Sequence, residues 1–351
     1  MDSSQDQYPD NKSAQPVTMQ MVAERAGLSR SAVSYALRNH RSIPDRTRER
    51  VQAIAKEMGY RRNAYVSTLM AQVHRKRILS EQPAIAWIFD EALSEVVRDV
   101  FYQKVFEGAE DRAKYLGYFI EKFSWDHKVI SSKRLGQVLR SRGIKGLIIA
   151  PISTNHQYVS GFPFDDFACS TIGYSFIKPR LHRVGVDYQQ GMHLLWNKVI
   201  EMGYVRPGLV MWNPFDERTG YLNRGIFMAL QSVQSGIEIM PPYFPDRYDL
   251  AEGGIKSWLG KYRPDVVLCC VNPDRLAEEI VSMPGSYRPD VFLMNCERGT
   301  AVSGIRQPDF QIGAAAVDIV VNQIHHSEQG IPSTPNTTLN PYTWEEVPAV
   351  V

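Results

Sequence analysis

The chain has 351 residues, of which 44% are hydrophobic and 22% charged, enough for two or three packed units of ordinary globular composition. It contains no uninterrupted apolar run of the ~18 residues a membrane span needs, and its polar start from Met1 to Gln15 lacks the apolar core of a secretion signal; a cytoplasmic protein without membrane partners is expected. The net charge of +2 conceals a segregation: thirteen basic and four acidic side chains lie between Val17 and Ser80, a balance of +9, against −2 for Met1 to Pro16 and −5 after Ser80. A basic head on an acidic body is what a polyanion-binding module joined to a ligand- or protein-binding module would carry.

Taken in chain order, residues 1–16 read as a disordered tail and residues 17–62 as a helical head. Thr18 is an N-cap for a helix with Val22, Ala23 and Ala26 on its apolar face, and Gly27 ends it. Ser29 caps a second helix containing Val33, Ala36 and Leu37. Two short helices joined by a tight turn containing glycine form a helix-turn-helix unit. After Pro44, a third helix places Val51, Ile54, Ala55 and Met58 on one stripe and stops at Gly59. Residues 63–82 form a helix-capable linker whose apolar residues, Leu69 among them, have no packing partner in the head.

From Ala84 the pattern changes. Short apolar runs (AIAWIF, YFIEKF, GLIIAP, ACSTIGY, VGVD, PGLVMW, DVVLCCV, DVFLMN) alternate with helical stretches, which predicts parallel sheets covered by helices on both faces. The length of residues 83–345 suggests two doubly wound lobes. Cys169, Cys269, Cys270 and Cys296 form no C-x-x-C pair, so reduced buried thiols are expected, with neither a disulfide framework nor a zinc site. His325-His326 reads as a surface pair and no metal site is expected. Most tryptophans read as core by pattern, but Trp212 follows a strand and is a candidate for a ligand cleft.

The stretch from Val17 to Ala64 resembles the DNA-binding head of the LacI family of bacterial repressors. The Thr18 start, Val22-Ala23, Ala26-Gly27-Leu28-Ser29, Val33-Ser34, Pro44 with Thr47-Arg48, Gly59-Tyr60 and Asn63-Ala64 fall at the family's spacing without a gap. The resemblance implies a sequence-specific transcription regulator, read as a repressor, that binds a near-palindromic double-stranded DNA operator as a homodimer. A helix fits the major groove and its first residues reach the base edges. Arg30, Ser31 and Tyr35 are therefore the candidate readers, with Thr18, Ser29, Ser34 and Thr47 as candidate backbone contacts. Tyr35 and Ala32 replace the family's usual arginine and threonine, so the operator should differ from the common family site. The resemblance matches Asn63 and the linker to a hinge helix that folds in the minor groove, and Leu69 to a leucine wedge. A plain linker helix packed on the body is the alternative.

The body resembles the family's periplasmic-binding-protein-like domain, two doubly wound lobes around an effector cleft. The sugar-binding pattern is poorly kept: the arginine expected three residues before Gly225 is Leu222, with Arg218 and Arg224 nearby. The far-lobe pair becomes Asn272-Pro273-Asp274, and the late aspartate is Glu297. Trp212, Arg218, Arg224, Asn272, Asp274 and Glu297 are the candidate effector residues, though Arg218, Arg224 and Glu297 read equally well as ion pairs. The effector is thus unidentified, and a simple hexose or pentose is not expected. No hydrolase, metalloprotease, P-loop or dinucleotide motif is present, so neither an enzyme nor a cofactor is expected. A periplasmic-type solute receptor is the alternative, one that would have neither the head nor a use for it.

Overall fold

Small apolar side chains let the three helices of the head approach closely around a tiny core. The computed structural model describes residues 17–37, 43–60, 83–89, 100–126, 129–151, 160–296 and 301–347. They fall into two units, one within residues 1–78 and one within residues 79–351. In the head, α1 (Met19–Ala26), α2 (Arg30–Ala36) and α3 (Asp45–Glu57) bury Val22, Ala23, Ala26, Val33, Ala36, Val51 and Ala55 together. The turn between α1 and α2 depends on Gly27, whose φ of +64° lies in the left-handed region that a side chain disfavours. Arg50 on α3 donates to the Ala26 carbonyl, and Gln52 donates to that of Ala36. Both bonds satisfy carbonyls left open at helix ends.

The body begins with β1 (Ala84–Phe89), α4 (Val100–Leu116), β2 (Phe119–Ser124), α5 (Ser132–Ser141), β3 (Gly146–Ile149), β4 (Ala168–Ile172) and β5 (His182–Val186). It continues with α6 (Tyr188–Glu201), β6 (Pro207–Met211), α7 (Asn213–Arg218), α8 (Leu222–Val233), α9 (Ile255–Tyr262), β7 (Val266–Cys270), α10 (Pro273–Val281), β8 (Asp290–Leu293) and β9 (Gly304–Arg306). It ends with α11 (Asp309–His326), β10 (Thr337–Asn340) and β11 (Thr343–Glu345). The first lobe has the sheet order β10-β5-β4-β3-β1-β2, parallel throughout. The second has β11-β9-β8-β7-β6, parallel except for β11. Beyond β6, Tyr243 forms a parallel bridge to Val210, so an extended segment stands where the first lobe has β2 and both lobes share one winding order. β3, β4 and β6 are buried along their whole length, as strands covered on both faces must be.

Each sheet has its own outer core, around Leu135 and Phe167 in the first lobe and around Trp258 and Leu259 in the second. A third cluster runs through both lobes, from Ile85 and Ala109 through Val186 and Tyr342 to Leu209 and Phe227. Helices α4 and α11 cross with their backbones in contact. A Cβ on Gly313 would lie 1.8 Å from the Val105 carbonyl oxygen, and one on Gly108 would lie 1.9 Å from that of Phe310. The chain passes between the lobes after β5, after β9 and after β10. At the last crossing Gln190 accepts from the Tyr342 amide and donates to its carbonyl, at 2.8 and 3.2 Å. No helix of the described residues is long and apolar enough to cross a membrane.

The strand and helix alternation read from the sequence is present, and so is the two-lobed architecture. The short strands β10 and β11 were not expected: the segment after Gln329 is rich in Pro, Thr and Asn and carries none of the apolar runs read as strands. Its strands form because β5 and β9 each offer an open edge.

Candidate DNA interface and inter-lobe cleft

Two local signals position the candidate reading helix. Ser29 Oγ accepts from the Ala32 amide at 3.2 Å and lies 3.1 Å from Ser31 Oγ, which sets the start of α2. Val33 and Ala36 are fully buried against α1 and α3, and on a helix those positions leave 30, 31, 34 and 35 on the other side. Arg30 and Ser31 are exposed, Ser34 is half-buried, and Tyr35 is 39% exposed despite its aromatic ring. No carboxylate or carbonyl accepts from the Arg30 side chain among the described residues. Thr18 Oγ1 accepts from the Met21 amide at the start of α1, and the Thr47 amide, in the first turn of α3, donates to the Pro44 carbonyl. Asn63 and Leu69 lie outside the described residues.

In the body, the carboxyl ends of the strands converge where the lobes meet. Tyr174 follows β4, Tyr188 follows β5, Trp212 follows β6, and Tyr342 stands between β10 and β11. Tyr188 is the hub of a ring cluster, with centroids 5.7 Å from Tyr174, 6.3 Å from Phe215 and 6.3 Å from Tyr342. Burial pushes the Tyr188 and Tyr342 hydroxyls well above the usual phenol range. Cys270, at the end of β7, is pushed up to about 12, chiefly by burial and then by Cys269, with Arg218 pulling the other way. All four cysteines are free thiols.

The candidate effector residues do not all face this space with free polar groups. Trp212 Nε1 donates to the Asp246 carbonyl, and its ring meets Tyr248 edge-on. Arg224 Nε lies 2.6 Å from Oδ2 of Asp216, whose side chain is fully buried. Arg218 lies over the Trp212 and Phe215 rings. Asn272 Oδ1 caps α10 by accepting from the Arg275 amide, and Asp274 is exposed on the first turn of that helix. Glu297 lies outside the described residues. Tyr174, Tyr188, Phe215 and Tyr342 are not among the cleft candidates that the sequence offers. A usable signal was present: Tyr174 and Trp212 end the apolar runs ACSTIGY and PGLVMW and Tyr188 directly follows VGVD, the strand ends at which open α/β sheets place ligand contacts.

Residues 18–63 match the family profile described as bacterial regulatory proteins, lacI family. The chain is 23% identical over 283 residues to the HTH-type transcriptional regulator MalR of Streptococcus pneumoniae, covering 79% of this chain and 82% of that one. It is 24% identical over 229 residues to the HTH-type transcriptional regulator DegA of Bacillus subtilis, covering 63% of this chain and 62% of DegA, under two thirds of that relative's length. Among solved structures, the lac repressor dimer bound to operator and the anti-inducer ONPF aligns with a TM-score of 0.54 at 15% identity, over 95% of this chain and 98% of that one. The transcriptional regulator CelR in complex with cellobiose aligns with a TM-score of 0.54 at 17% identity, over 94% of this chain and 98% of that one.

Proposed function

We propose that this chain, a member of the lacI family of bacterial regulatory proteins, is a sequence-specific DNA-binding repressor that acts in the cytoplasm without catalysing a reaction. The observation that carries the reading is α2, whose apolar residues are locked in the head core while Arg30, Ser31 and Tyr35 stand exposed on the other side. Arg30 is free to donate two bonds to a guanine edge, the commonest specific contact in the major groove. Thr18, Ser29, Ser34 and Thr47 contact the DNA backbone and fix the register of the helix. Asn63 and the Leu69 wedge serve the adjoining minor groove.

One head reads only a few base pairs, so a two-fold homodimer on a near-palindromic operator supplies the remaining readout. The solved lac repressor is a dimer bound to operator, which supports the same assembly here. The body holds a small-molecule effector in its cleft; the structural neighbour CelR was solved as a complex with cellobiose, which supports a small-molecule ligand. The head spans residues 17–62, the hinge and linker 63–82, and the effector-binding and dimerisation body 83–345.

Genome-wide mapping of bound sites, followed by gel-shift titration on the recovered sequence, tests the function. Full-length protein should bind that site far more tightly than random DNA, with affinity falling steeply as salt rises. A chain beginning at Glu81 should stay folded and lose operator affinity. If it binds as tightly as the full chain, the assignment of DNA binding to the head is wrong.

A further inference from the structure

The arginines of the second lobe differ in what they touch. Arg224 is neutralised by Asp216 and lies 3.6 Å over the Phe244 ring. Arg206 ends on Glu238 and on the carbonyls of Tyr262 and Arg263, and Arg288 ends on carbonyls around the close of α10. Arg218 differs. It is half-buried, its guanidinium lies 5.5 Å from the centre of the Trp212 ring and 5.8 Å from that of Phe215, and no carboxylate or carbonyl accepts from it among the described residues.

Its position adds to this. Arg218 closes α7, which starts from the carboxyl end of β6, and its charge is felt at Cys270, at the end of β7, and at Tyr188, at the start of α6. The segment at Tyr243 lies on one side of β6 and β7 on the other. This is the reversal of strand order at which doubly wound sheets bind ligands. Several acceptors near it among the described residues already face a donor. Asn272 Oδ1 takes the Arg275 amide, Asn213 Oδ1 faces Arg224, and the Asp216 carboxylate is paired with Arg224. Among the described residues, Arg218 is thus a cation with donors only, set beside the linked rings of Phe215, Tyr188 and Tyr174. A guanidinium stacked on rings keeps its in-plane N–H edge for a bidentate acceptor.

We propose that the effector is a small ring compound bearing an oxyanion, a carboxylate or a phosphate ester, gripped by Arg218 with its ring against Tyr188 and Phe215. The inference rests on the reading of the cleft as an effector site and adds the ligand's chemistry. An unpaired guanidinium in a partly dry site gains more from an anion than it would in water.

The test uses full-length protein and four probes: 4-hydroxybenzoate for a ring carboxylate, glucose 6-phosphate for a ring phosphate, and 4-hydroxybenzamide and glucose as their neutral counterparts. Calorimetry should show saturable binding of at least one anion, with its neutral counterpart weaker, and the anion that binds identifies the source of the oxyanion. Arg218→Gln should weaken that binding about 10–100-fold, the loss expected for charge-assisted hydrogen bonds, and Arg218→Lys should recover part of it. The melting temperature of each variant without ligand controls for folding. Absence of saturable binding by either anion, equal binding by a neutral counterpart, or unchanged anion affinity in Arg218→Gln overturns the proposal. Operator binding is measured on the same preparations. If it persists while the anions fail, the ligand chemistry is wrong and the regulator stands; if it is absent, the functional reading itself fails.

Discussion

In the head, Arg30 stands in water at the start of α2, whereas in the body Arg218 lies half-buried on two aromatic rings, and neither has a protein acceptor among the described residues. The first arrangement costs little, because bulk water and counterions solvate the charge until a polyanion displaces them. The second is more demanding, since a partly desolvated cation loses hydration that the ring faces return only in part. Arg224 shows the usual protein remedy close by, an ion pair with a buried carboxylate. A cation left without that remedy inside a cleft is therefore informative in a way that an exposed one is not.

The sharpest way to break this comparison is to remove the pair that Arg218 lacks. Arg224→Leu would strand the carboxylate of Asp216 and should cost about 3 kcal/mol at neutral pH, as expected when one partner of a buried pair is lost. Burial already holds the Asp216 carboxyl above its ordinary value, with Arg224 pulling it back down. A carboxyl whose pKa is raised on folding favours the folded state below its ordinary range and loses that contribution as pH rises through the folded value. Denaturant titrations of the variant should accordingly show greatest stability in acid and a fall toward neutrality steeper than that of the parent. A flat profile would mean that water reaches Asp216.

A smaller effect is expected at the exposed cation. Arg30→Ala should weaken operator binding by ~1–3 kcal/mol and relax preference at one base pair in each half-site. If the loss is equal on operator and random DNA, Arg30 contacts phosphate, and the head's free cation is only part of its general field.

The smallest change concerns the scaffold that presents Arg30. Ser29→Ala deletes the side-chain acceptor for the Ala32 amide and should destabilise the head by ~1 kcal/mol. Amide exchange over residues 19–57 should quicken while exchange in the body stays the same. Unchanged exchange in the head would show that the core around Val33 and Val51 fixes α2 without its cap.

The two regions also differed in how readily they were read from sequence. The residues around α2 occupy one short stretch whose caps, turn glycine and apolar spacing are local, so Thr18, Gly27, Ser29, Val33 and Ala36 could each be assigned from near neighbours. The cleft is built from residues as distant as Tyr174, Tyr188, Arg218 and Tyr342, which only the parallel sheets bring together. Nothing local distinguishes Arg218 from Arg224: both follow helical spacing, and which one meets a carboxylate depends on how α7 and α8 pack. The strands β10 and β11 were missed for a related reason. Thr337–Asn340 and Thr343–Glu345 have little apolar alternation of their own, and they are strands because of the edges they cover.

The way those last elements are divided bears on how the body is made. The second lobe has its four parallel strands in hand once Arg306 has emerged from the ribosome. The first lobe was begun far earlier, yet it still lacks α11, the helix that covers Ala109 and packs along β3, β4 and β5, as well as its edge strand β10. Domains commonly fold as units in the order they are synthesised; here the later lobe can close first while the earlier one waits with an apolar sheet face uncovered. A nascent chain halted with Gln307 to Asp309 just clear of the ribosome would thus carry a nearly complete second lobe beside an open first lobe, and that intermediate is the one a chaperone would have most reason to hold.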